Sequence, residues 1–61
     1  MKKIEILLEI KGETQKAYLF SDGVFTEWVP KSQVELDCDG GVGDTVVATM
    51  QAWVAEDRGF I

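Results

Sequence analysis

The sequence contains no histidine, one cysteine and one proline in 61 residues. Without histidine there is no zinc site of the histidine type and no histidine-dependent catalytic triad. Lone Cys38 can form neither an internal disulfide nor a cysteine-based metal cluster, and a reducing cytoplasm is the expected setting. It sits between Asp37 and Asp39, whose charges raise a thiol pKa, the wrong direction for a nucleophile. No run approaches the ~20 apolar residues that cross a bilayer, so no membrane partner is expected. Met1-Lys2-Lys3 is a basic start, but Glu5 and Glu9 interrupt the apolar stretch behind it and no small-residue cleavage site follows.

Positive charge is scarce in the second half. Residues 1–31 balance five bases (Lys2, Lys3, Lys11, Lys16, Lys31) against five acids (Glu5, Glu9, Glu13, Asp22, Glu27). Residues 32–61 set six acids (Glu35, Asp37, Asp39, Asp44, Glu56, Asp57) against Arg58, so they carry the whole net charge of −5. Such a half repels phosphate and counts against nucleic acid as a partner. The simplest use of it is a solvated acidic face. Paired carboxylates can do acid–base work, but these fall on exposed strand or loop positions with no evident pocket, and the chain reads as a non-enzyme. Asp37, Asp39 and Asp44 surround three glycines, yet they lack the calcium-loop spacing of a sixth-place glycine and twelfth-place glutamate. No metal and no cofactor are expected.

What is present is β pattern. Ile4, Ile6, Leu8 and Ile10 alternate with charged residues over 3–11, with only Leu7 out of pattern, a strong strand signal. Further strands are predicted over 15–21, 24–29, 34–38 and 45–49, with Asp22-Gly23 as a two-residue hairpin turn and residues 39–44 as a flexible glycine loop. From Met50 the period turns helical, giving a helix over 50–58 that Gly59 ends as the residue past the cap, with Phe60 folded back on Val54 or Ala55.

The organising stretch is Trp28-Val29-Pro30-Lys31-Ser32-Gln33. Pro30 has no N–H and a fixed φ, so a strand stops there, and the next three residues suit one tight 3₁₀ turn. The corner folds a meander back over itself. The fold class is therefore mainly β with one C-terminal helix, a single domain over 1–61: a five-stranded, strongly bent antiparallel sheet, or a small SH3-like or OB-like barrel. Leu7, Tyr18, Phe20, Phe25 and Val29 are assigned to a second apolar face. One short helix is too small to cover three strands, and pairing of two copies into a homodimer is favoured.

Two sets of candidate binding residues emerge. Trp53 with Asp37, Asp39, Asp44, Glu56 and Asp57 would make an aromatic anchor with acidic surroundings for a protein partner. Lys16, Tyr18, Phe20 and Phe25 interleave a base with aromatics, the pattern by which a sheet stacks single-stranded nucleic acid. Trp28 is assigned to the core.

Glu27-Trp28-Val29-Pro30-Lys31-Ser32-Gln33 and Gln51-Ala52-Trp53-Val54-Ala55-Glu56-Asp57-Arg58-Gly59-Phe60-Ile61 resemble segments of small uncharacterised phage and prophage proteins, which carry a W-[IV]-P-K-S-Q turn and a terminal W-x-A-x-x-x-G-x-I helix. The chain departs from them in its acidic, glycine-rich 37–44 loop. The resemblance transfers no catalytic or binding residue. It implies an accessory protein in the cytoplasm of a bacterial host, where it binds a host protein or complex and inhibits a defence or nucleic-acid-handling system; a single-stranded nucleic-acid-binding barrel is the alternative.

Overall fold

The computed structural model describes residues 2–61. Five strands form one antiparallel sheet: β1 Lys3–Glu13, β2 Ala17–Ser21, β3 Thr26–Pro30, β4 Val34–Leu36 and β5 Thr45–Gln51. Their spatial order is β3-β2-β1-β5-β4. A 3₁₀ turn, Lys31–Gln33, joins β3 to β4, and one short helix, α1 Ala52–Asp57, follows β5. The sheet is strongly bent but does not close, because β3 and β4 are its two edges and share no ladder.

Strand β1 is the backbone of the arrangement. Lys3 to Glu9 pair with β5, while Glu9 to Glu13 pair with β2. A bulge at Lys11, between the Ile10↔Phe20 and Gly12↔Leu19 pairs, lets the same strand serve both halves at a change of direction. The predicted alternation holds: Leu8 and Ile10 are buried and Ile4 and Ile6 pack against them. Phe20, Val29, Val34, Val46, Ala48 and Met50 complete the inner face of the sheet, and Val54, Ala55 and Phe60 close over it.

Several boundaries shift, three of them because a side chain captured backbone groups. Thr14 Oγ1 accepts from the Ala17 N–H at 3.1 Å, so residues 15 and 16 stay in the turn and β2 starts two residues late. Asp22 Oδ1 accepts from Val24 N–H at 2.8 Å and Phe25 N–H at 2.7 Å, which makes the hairpin loop four residues long instead of two. Asp37 Oδ1 takes the Val47 N–H at 3.1 Å in place of a main-chain carbonyl, ending β4 at Leu36. Met50 lies between Ile4 and Val34 in the ladder and is buried, so it extends β5 and the helix begins only at Ala52.

The glycine loop is tied to β1 and to itself by hydrogen bonds. Gly43 N–H donates to Ile10 O at 2.7 Å, Ile10 N–H donates to Asp44 O at 2.9 Å, and Asp44 Oδ2 accepts from Gly41 N–H at 2.9 Å. A Cβ at Gly40 would lie 2.6 Å from Val46 Cγ1, so only glycine fits against that strand.

The helix ends as its sequence implies. Gly59 has φ +82°, its N–H donates to Glu56 O at 3.1 Å, and Phe60 N–H donates to Ala55 O at 2.9 Å. Phe60 is thereby turned into the core, whereas Ile61 remains 63% exposed and Trp53 52% exposed. Phe60→Ala should cost about 3 kcal/mol and Ile61→Ala less than about 0.5 kcal/mol, compared by urea denaturation; equal losses would remove Phe60 from the core.

The Asp22 carboxylate is held below its ordinary value of 3.8, first by the Phe25 N–H and then by the Val24 N–H. Its contribution to stability is therefore complete above the unfolded value and is lost as pH falls through the lowered folded value. An NMR titration should find the Asp22 midpoint below 3.8, and Asp22→Asn should flatten the loss of stability in that acid window.

Candidate functional site

The sheet leaves a seam unclosed between β3 and β4, and on the β4 side of it lies a cleft of about 610 Å³. Its walls come from the end of β1 (Glu13), the start of β2 (Tyr18), the corner turn (Lys31), β4 (Val34, Leu36) and the acidic loop (Asp37, Asp39). Pro30, with φ −58° and ψ 138°, aims the chain so that Lys31 leaves the corner beside β2, where its N–H donates to Lys16 O at 2.8 Å. Lys31 Nζ then donates to Glu13 Oε2 at 2.6 Å and lies 4.8 Å from the centroid of the Tyr18 ring. The Tyr18 and Phe20 rings lie 5.4 Å apart, so the ring that meets the cation is backed by the core.

The first predicted set does not form one patch. Trp53, Glu56 and Asp57 lie on α1 beyond the Gln51 end of β5, whereas Asp37 and Asp44 flank the loop that leads into its other end at Thr45. Seven strand residues at ~3.4 Å each separate them by about 20 Å. Asp37 and Asp44 already accept backbone N–H groups of Val47 and Gly41, while Asp39 is exposed and has no such bond. Asp57 is met by Arg58 Nη1 at 3.1 Å.

The second set is dispersed more completely. Lys16 is exposed, Tyr18 is half-buried, and Phe20 is fully buried and has no face to offer a base. Phe25 is 53% exposed on the hairpin loop, near the end of the helix, with its Cδ2 3.9 Å from where a Cβ on Gly59 would stand. Strand β2 is apolar on both faces, and the pair with more area to bury, Tyr18 and Phe20, turned inward in place of Ala17 and Leu19.

That choice also corrects the second apolar face. Phe20 and Val29 belong to the core with Tyr18 against it, and α1 covers this inner face. The outer face instead carries Leu19 opposite Trp28 and Leu7 opposite Val47. Trp28, expected in the core, is 47% exposed. The signal was available: Trp28 and Val29 are adjacent in a strand, so only one can face inward. Once β2 presents Tyr18 to the core, its partner Val29 must follow it.

Cys38 is exposed, and its thiol is pushed up, first by the Asp37 carboxylate as acceptor for its proton, then by slight burial and by the charges of Asp37, Asp44 and Asp39. Among the described residues no group of three or more histidine, cysteine or acidic side chains is placed to hold a metal ion, and no helix is long and apolar enough to cross a membrane. No protein-family model, curated protein or solved structure matches the chain.

Despite its exposure, Cys38 should alkylate with iodoacetamide at mildly alkaline pH more slowly than an unstructured cysteine peptide, because less of it is thiolate. Asp39→Asn should speed the reaction. Mass spectrometry of the time course checks both, and a rate above the peptide's would show that the acidic loop does not control the thiol.

Proposed function

We propose that the chain is a non-catalytic accessory protein of phage type that binds a protein of its bacterial host and inhibits a defence or nucleic-acid-handling complex. The observation that carries the reading is the exposure of three aromatic rings, Phe25 at 53%, Trp28 at 47% and Trp53 at 52%. Large rings of this kind anchor interfaces, because they contribute much contact area while few rotatable bonds are frozen. In so small a chain, three of them left outside a core that had room for smaller aliphatics point to use at the surface.

Charge narrows the partner. A module of net charge −5 is attracted to basic surfaces, and surfaces built to hold nucleic acid are basic. Occupying such a surface requires no catalytic group, only carboxylates spaced over a rigid sheet. The same charge on two copies opposes self-pairing, so a basic host protein is the better occupant than a second copy of the chain.

Affinity capture from host lysate tests this with the wild type beside Trp28→Ala and Trp53→Ala. Both tryptophans are half exposed, so each variant should keep its stability to within about 1 kcal/mol. The ring at the interface should lose tenfold or more in partner affinity, about 1.4 kcal/mol or above. Recovery of nucleic acid with no protein partner would overturn the reading, as would a captured protein indifferent to both substitutions.

A further inference from the structure

Hydrogen-bonding groups are left free on both sides of the seam. Asp37 N–H donates to Val47 O at 3.1 Å, so the alternation of an antiparallel ladder also directs Glu35 toward β5 and turns the N–H and C=O of Leu36 outward. On the other edge Lys31 N–H donates to Lys16 O, which by the same alternation directs Val29 toward β2 and turns Trp28 outward. Trp28 and Leu36 each lie two residues from an end of the 30–34 corner. An edge with free groups accepts an added strand, and side-chain pockets beside it then select which strand.

The cleft beside β4 supplies such a pocket. It holds three carboxylates, Glu13, Asp37 and Asp39, against one ammonium, Lys31, a local balance of 1 − 3 = −2. Only Glu13 is neutralised by Lys31. The Tyr18 ring in the same cleft already carries a cation on its face, the protein's own Lys31. Val34 and Leu36 provide apolar wall between the charges. Carboxylates beside a free backbone edge converge on one ligand chemistry, an extended chain bearing arginine or lysine.

We infer that the seam binds an extended basic peptide segment of the partner, which adds to the free edge of β4 at Leu36 and sets a cationic side chain beside Asp37 and Asp39. This rests on the protein-binding reading and names the partner's chemistry. Three residues make too short an edge to hold a strand by backbone bonds alone, so recognition depends on the charged cleft. A second copy is disfavoured as occupant, since each copy brings the same carboxylates to the seam.

The test is an amide NMR titration of the full chain with a short peptide alternating arginine and valine, beside one alternating glutamate and valine. The basic peptide should shift Glu13, Tyr18 and residues 34–40, slow hydrogen exchange at the Leu36 N–H, and weaken steeply as salt rises. Asp39→Lys alters an exposed residue with no backbone bond and should weaken binding about fivefold without unfolding the chain. A basic peptide in which alternate residues are N-methylated should lose the Leu36 protection. The inference is overturned if the two peptides bind alike, if the shifts map to Trp28 and Leu19 instead, or if light scattering shows a dimer that buries the seam. Peptide binding should be unchanged in Trp53→Ala, so the seam can fail while capture of a partner through the exposed rings still stands.

Discussion

Three residues bridge the two opposite edges of a five-stranded sheet. Laid flat, those edges would stand about 19 Å apart, four inter-strand spacings, whereas a 3₁₀ turn of three residues advances only about 6 Å. The sheet must therefore curl until the end of β3 and the start of β4 meet at the Pro30 corner. Curling gives it an inside. Leu8, Ile10, Phe20, Val29, Val46 and Met50, drawn from four strands, then share one core that a flat sheet of this size could not enclose. The Lys11 bulge follows from the same demand, since β1 has to pair with β5 along one half and β2 along the other while the sheet turns between them.

A curled sheet with so few residues can bury only one face, and the helix is committed to that face. Val54, Ala55 and Phe60 complete the inner core, and no described element covers Leu7, Leu19 and Trp28 outside. The Gly59 turn makes the commitment firm: with its bonds to Glu56 and Ala55 carbonyls satisfied, Phe60 has one direction to go. The chain thus spends its terminal aromatic on stability and leaves Trp28, Phe25 and Trp53 where only another molecule can bury them.

Much of this was legible in the sequence where one signal stood alone. Ile4, Ile6, Leu8 and Ile10 share one face, Pro30 is the last residue β3 can hold, and Gly59 is placed past a short amphipathic turn; the first strand, the corner and the helix stop followed directly. The reading failed where two signals competed. β2 has apolar residues on both faces, and period alone does not say which pair points inward; that depends on area buried against a partner strand. Likewise Asp22 and Asp37 were read as a turn residue and an exposed charge, but their side chains bind specific backbone N–H groups and so move strand ends. The cleft was invisible for a different reason. Glu13, Tyr18, Lys31 and Asp39 are scattered over 27 positions of the chain, and only the curl of the sheet brings them to one opening.

The seam stays open because of the corner that creates it. Pro30 offers no N–H to a neighbour, and β4 is only three residues long, so the edges converge at the corner yet share no ladder beyond it. Free edges ordinarily invite pairing between copies. Here the carboxylates of Asp37 and Asp39 stand beside the free groups of β4, and a second copy would bring the same charges against them. A basic strand meets no such opposition. The acidic loop therefore sets the charge at an edge that the fold cannot close: Asp37 and Asp39 stand beside it with no cation among the described residues paired to them.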